Sequence, residues 1–145
     1  MAVKYDEDVI AWANEQARLL RAGRFDMLDI EHLADEIEDV GKSEKRELAS
    51  RMAVLLCHLL KWQFQPERRT SSWKRTIDDQ RKRLKRVIGI VPSLNALLYD
   101  REWFEDAWSD GLLMAAKETD KEADTFPAAC PWTTEELFDE TFYPE

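Results

Sequence analysis

Few side chains in this sequence have the type and spacing to do chemistry, and most of those lie between Asp29 and Trp62. His58 is the first. With Glu47, Arg51, Lys61 and the edge of Trp62 it forms a narrow polar strip along an otherwise apolar helical stretch. An imidazole there can be a hydrogen-bonded group beside a core, or a proton carrier or ligand in a partly closed pocket. On the second reading, the pocket is lined by Glu36, Glu47, Arg51, His58 and Trp62. Cys57 neighbours His58, but adjacent residues on a helix point about 100° apart, so the two do not make a nucleophile and base pair. Asp29, His32, Asp35 and Glu36 fall within two helical turns and could be imagined around a cation. A carboxylate-bridged metal bundle needs paired Glu-x-x-His motifs on facing helices, and only one Asp-x-x-His, Asp29 to His32, is present. Cys57, Cys130, His32 and His58 have no shared zinc-ligand spacing. There is no phosphate-binding GxxxxGK[ST] loop and no GxSxG elbow. No metal, cofactor or catalytic residue is therefore expected, and an enzyme reading has no motif behind it.

Charge gives a second candidate. The net charge is −9. Residues 1–60 carry 8 basic and 13 acidic side chains, residues 61–86 carry 10 and 3, and residues 87–145 carry 3 and 14. A basic block between two acidic ones could meet a phosphate backbone or an acidic partner. Arg68, Arg69, Lys74, Arg75, Lys82 and Arg86 are the expected contacts. A pI near 4.8 opposes nucleic-acid binding over the surface as a whole. The acidic blocks could equally balance the basic one within the fold.

The elements that must position these groups read as helices throughout. Only 4 Gly and 5 Pro, with 44% apolar and 35% charged residues, disfavour a turn-dense β fold. The spacing predicts a central helix over 43–65, capped by Ser43, separated from its predecessor by Gly41 and ended by Pro66. Leu48, Met52, Leu55, Leu56 and Leu59 give it an apolar face that Ala53, Val54, Cys57, Leu60 and Phe64 widen almost all round. Such a helix must be covered from several sides.

Before it, Asp6 is expected to cap a first helix, with Tyr5 and Ile10 as a hydrophobic staple. Val9, Ala13, Ala17 and Leu20 form its buried stripe, flanked by Ile10, Trp12 and Leu19. A second helix capped by Asp29 has Ile30, Leu33, Ile37 and Val40 as its seam and an acidic outer side. After the central helix, Ser71 or Ser72 caps a basic amphipathic helix, lined on one face by Trp73, Ile77, Leu84, Val87, Ile88 and Val91 and ended by Pro92. Arg81 and Arg83 sit at its margins. A fourth segment capped by Ser93 runs from Leu94 to about Lys117, with a bend expected near 99–102. Thr133 and Glu136 then form a capping box in a C-terminal arm, about 119–145, that is expected to dock on the bundle.

The expectation is one all-α domain over 1–145, a bundle of four to six helices around 43–65. No apolar run spans a bilayer, and Met1 to Lys4 lack the features of a secretion signal, which places the chain in the cytoplasm.

The run HLLKWQFQPERRTSSW, His58 to Trp73, resembles the signature of the bacterial family catalogued as domain of unknown function 29. The flanks agree with it: YDEDVIAWANEQARLLRAGRFDMLDIEHLADEIEDVGKSEKREL before, and FPAACPWTTEELFDETFYPE after. The resemblance covers essentially the whole chain. It implies an all-helical soluble bacterial protein and carries over no catalytic or ligand residue. The function expected is a small interaction or regulatory module that binds another protein or itself. The alternatives are nucleic-acid binding through 68–86 and a ligand pocket or enzyme site around His58.

Overall fold

The structure is a computed structural model, described over residues 3–145. It is all-α: α1 Val9–Arg21, α2 Ile30–Phe64, α3 Ser71–Ile90, α4 Arg101–Thr119 and α5 Thr134–Phe138, with 3-10 turns between them and no strand among the described residues. No helix among these residues is long and apolar enough to cross a membrane. The chain divides into two compact units, residues 1–43 and 44–145.

The first unit is a helical hairpin. Asp8, two residues beyond the expected cap, accepts from the Ala11 amide at 3.0 Å and starts α1. Gly23 ends it at φ 72°, where a side chain would be strained. The Arg24 amide reaches back to the Leu19 carbonyl at 2.9 Å and that of Gly23 to Leu20 at 3.1 Å, closing the last turn. Gly41 has no such role. It keeps helical geometry, and α2 runs through it for 35 residues, so the expected second and central helices are one and Ser43 caps nothing. A lone glycine inside a helix costs about 1 kcal/mol, which a long well-packed helix absorbs.

The second unit holds the large apolar core. Leu48, Met52, Leu55, Leu56, Cys57, Leu59 and Leu60 of α2 are each fully buried. They are covered by Ile77 and Leu84 of α3, Leu94 and Leu98 of the 3-10 turn Pro92–Tyr99, and Ala107, Trp108 and Ala115 of α4. Ala107, Gly111 and Ala115 form the small-residue face on which α4 closes. A Cβ on Gly111 would stand 2.9 Å from both the Ala53 carbonyl oxygen and the Leu56 Cβ, so only glycine permits this approach to α2. Thr70, not Ser71 or Ser72, caps α3 by accepting from Trp73. The expected bend near 99–102 is a true break: Asp100 caps a fresh helix. Thr133 and Glu136 make both bonds of the capping box at the start of α5.

Arg81 is the main departure on α3. The sequence sets it at the margin of the basic face. Instead it lies one turn beyond Ile77 in the buried seam, fully covered. Its Nε donates to the Leu137 carbonyl at 2.7 Å and its Nη2 points to that of Glu136 at 3.4 Å, the carbonyls that end α5. The guanidinium lies 5.5 Å from the Tyr143 ring, whose hydroxyl donates to Asp78. One buried cation thus ties α3 to the last helix.

Candidate interaction surfaces

The hairpin is built inside out. Its inner face is polar and aromatic. Trp12 Nε1 donates to Asp29 Oδ2 at 3.0 Å, and the Asp29 amide donates to Gln16 Oε1 at 2.9 Å. His32 Nδ1 meets the same Asp29 oxygen at 2.8 Å. The Tyr5 ring stacks on His32 at 4.3 Å, and its hydroxyl donates to Glu36. These bonds leave their mark on the titrating groups. The Asp29 contact raises the His32 imidazole above its ordinary value. Burial pushes Asp29 up, but the bonds from His32 and Trp12 outweigh it and the carboxyl sits below its usual range. The Glu36 hydrogen bond, with burial, pushes Tyr5 to about 12.

The apolar side chains of the hairpin point the other way. The stripe expected to be buried on α1 is not: Val9, Ala13 and Leu20 are exposed and Ala17 is half-buried, while Trp12, Gln16 and Leu19 are the residues covered. Ile10 is 73% exposed, so the expected staple with Tyr5 does not form. On α2, Ile30, Ile37 and Val40 are 64%, 71% and 66% exposed, and only Leu33 of that seam is half-buried. The reason is this same polar network: aligning Trp12, Gln16, Asp29, His32 and Tyr5 between the helices turns the aliphatic stripes outward. With the half-buried Ala17 and Leu33, the exposed positions complete two matching series, Ile10, Ala13, Ala17, Leu20 and Ile30, Leu33, Ile37, Val40, each with the three-then-four spacing of a coiled-coil seam.

In the second unit the polar strip on α2 divides. Arg51 leans on Glu47 at 3.0 Å and joins Lys82, Arg83 and Arg86 of α3 around a cleft of about 610 Å³. Its Nε is buried without a partner. His58 is half-buried and donates from Nδ1 to the Val54 carbonyl at 2.9 Å, the preceding turn of its own helix. Burial holds its imidazole below the ordinary value. Trp62 packs against Tyr143 at 5.0 Å with the Arg69 guanidinium 4.9 Å from its ring. Glu36 belongs to the hairpin, bonded to Tyr5. Of the pocket read from sequence, the structure therefore joins Arg51 to Glu47 and gives the other three side chains separate partners.

Cys57 is fully buried. Its thiol donates to Glu118 Oε2 at 3.0 Å, and Lys61 Nζ reaches the same oxygen at 3.3 Å while lying 4.7 Å from the Trp73 ring. Burial, then the neighbouring carboxylate, drives this thiol well above its ordinary value, so it is a hydrogen-bond donor and not a nucleophile.

The basic block is partly spent inside the fold. Arg69 donates from Nε to the Trp62 carbonyl at 2.8 Å. Lys74 lies 5.6 Å from the Tyr143 ring. Arg83 pairs with Asp79 at 3.0 Å and Lys85 with Glu140 at 3.7 Å. Arg68, Arg75, Lys82 and Arg86 remain exposed, the last two on the cleft with Arg51.

Sequence reasoning did not find a groove of about 720 Å³ between α4 and residues 123–134, lined by Phe104, Trp108, Leu112, Cys130 and Trp132, with Arg101 and Glu105 on its rim. The Trp103 to Trp108 aromatic cluster and the Pro131-Trp132 pair were the available signals. Trp108 and Trp132 meet edge to face at 5.7 Å across it, and Trp108 Nε1 donates to the Pro127 carbonyl at 3.2 Å.

A family model described as "Domain of unknown function DUF29" matches residues 4–143. No curated protein and no solved structure matches the chain.

Proposed function

The chain belongs to the DUF29 family, and from that premise we propose that it is a non-enzymatic interaction module whose binding surface is the outer face of the N-terminal hairpin. The single observation behind this reading is the inversion of that hairpin. Polar groups pair between its helices, while Ile10, Ile30, Ile37 and Val40 are all more than three-fifths exposed. Large aliphatic side chains exposed together on one short hairpin suit a surface that meets a partner. The test is crosslinking of the tagged chain in its host, wild type beside Ile30→Asp/Ile37→Asp. The reading expects a protein crosslinked by the wild type and lost in the variant. The same products from both chains, or none from either, would end it.

A second reading has its own observation. The cleft that Arg51, Lys82, Arg83 and Arg86 share with one carboxylate, Asp79, which Arg83 neutralises, has Arg51 Nε buried and unbonded and suits an anionic group on a partner or a nucleic acid. Binding of a fluorescent oligonucleotide that falls steeply with salt, and falls again in Arg51→Gln/Arg86→Gln, would support it. Absence of binding at low salt would remove it.

A further inference from the structure

Resting on the interaction-module reading, we propose that the partner of the hairpin is the hairpin of a second copy of this chain, and that the two form a four-helix bundle with α1 of each copy against α2 of the other. Three features of the hairpin make it its own complement. The first is periodicity. Both seams run two heptads, with a and d positions at 10, 13, 17, 20 and at 30, 33, 37, 40.

Trp12 and Gln16 of α1, Asp29 just before α2, and His32 and Glu36 on α2 face the hairpin interior. At 100° per residue each apolar seam lies about a quarter-turn from these, in the direction of increasing residue number. The contacts run in antiparallel order, with Tyr5 near Glu36 and Gln16 near Asp29. In an antiparallel pair that common rotation brings both seams to the same side, giving one apolar face.

Side-chain size is the second feature. The α1 seam is small at its centre, Ala13 and Ala17, whereas the α2 seam is bulky throughout. Small positions facing large ones interdigitate, and large facing large would hold the helices apart.

Charge is the third. From its cap Asp8 to Arg24, the α1 stretch carries three Arg against one Asp and one Glu, net +1. From Ile30 to Ser43, α2 carries five acidic residues and one Lys, net −4. Pairing α1 with α1 and α2 with α2 across a two-fold axis would oppose like charges twice. Pairing α1 with α2 opposes unlike charges twice. The amount of surface fits as well. The exposed parts of the seam residues Ile10, Leu20, Ile30, Ile37 and Val40 alone add up to about three whole side chains, several hundred Å² toward the ~800 Å² per partner in a standard interface.

The full chain should sediment at twice its 17.1 kDa mass. Ile10→Asp/Ile37→Asp should sediment as a monomer with unchanged far-UV circular dichroism, which shows that the helices survive. Charge reversal identifies the pairing. Arg18→Glu/Arg21→Glu makes both helices of a hairpin acidic, and Glu31→Lys/Glu38→Lys brings α2 to net zero beside a basic α1. Each variant alone should dissociate at least tenfold more readily than wild type, and an equimolar mixture should associate again. If the wild-type chain is a monomer up to millimolar concentration, the inference is overturned. The same holds if it is a dimer indifferent to the seam substitutions. A monomer that still crosslinks to a different protein in the host through Ile30 and Ile37 sinks the self-pairing while leaving the interaction-module reading intact.

Discussion

The two units of this protein use the same kind of amphipathic helix in opposite ways. In residues 44–145 the aliphatic face of α2 is turned inward. Seven of its side chains between Leu48 and Leu60 are fully buried, and the charged groups stand outside or, like Arg81, are individually bonded. In residues 1–43 the aliphatic seams face outward and the covered groups are Trp12, Gln16 and Leu19, the first two bonded to Asp29. The lesson is that a periodic apolar stripe reports what a helix needs covered, and not whether its own chain does the covering. The stripe 30, 33, 37, 40 is as regular as any in the core.

Substitutions can break this contrast, and the largest effect is expected in the core. Leu59→Ala should cost about 2–5 kcal/mol in a urea titration of the C-terminal unit. In a urea titration that follows the hairpin at sub-micromolar concentration, Ile37→Ala should change stability by no more than about 0.5 kcal/mol, since it removes surface already in water. Similar losses at the two sites would erase the distinction.

Arg81→Met comes next. It keeps an unbranched chain of similar length but removes the donors to the Leu137 and Glu136 carbonyls, for an expected loss of about 2–3 kcal/mol. Amide exchange should speed up first in α5. Loss spread evenly over α2 to α4 instead would show that Arg81 does not hold the last helix specifically.

Gly111→Ala ranks third. Helix propensity favours alanine by about 1 kcal/mol, but its methyl meets α2 at 2.9 Å and the strain should win, for a net loss of about 1–2 kcal/mol by thermal melting. A raised melting temperature would show that α4 can back away.

The smallest effect concerns pH, and it separates the two histidines by sign. His32 has a raised value in the folded state, so its contribution is present below the ordinary 6.5 and fades as pH rises through the folded value. His58 has a lowered value, so the fold resists its protonation, and stability is lost as pH falls below 6.5 toward the folded value. Acidification through that region should therefore favour hairpin contacts while weakening the C-terminal unit. NMR titration of the two imidazoles, with midpoints on opposite sides of 6.5, is the check. Two midpoints on the same side would contradict it.

Much of this was legible in the sequence. The all-α class, the 48–60 core and the Thr133–Glu136 capping box arise from periodicity and local hydrogen bonding, which short stretches encode. Three things were not legible, each for a physical reason. Gly41 carries a stop signal only if its backbone turns left-handed, and the helix-compatible residues on both sides of it keep it in helical geometry instead. Arg81 looks like one more cation in RKRLKR until two carbonyls of a helix 55 residues away come to meet it. The hairpin stripes are correct as stripes, but which side of α1 meets α2 is decided by the long-range Trp12–Asp29 and Tyr5–His32 contacts. At the site level, Arg51, Lys82 and Arg86 were each singled out from sequence, but their convergence on one cleft with Arg83 needed the α2–α3 packing.

The thiol held under Glu118 has a practical consequence. The first 43 residues contain no cysteine. Burial raises both thiols, Cys130 to about 11, but Cys130 is only partly covered whereas Cys57 lies fully enclosed. An alkylating reagent added to the intact protein will label Cys130 early and reach Cys57 only when the bundle opens. The slow phase of labelling is then a clock for that opening alone, started and read without attaching any dye, and blind to whatever the hairpin is doing.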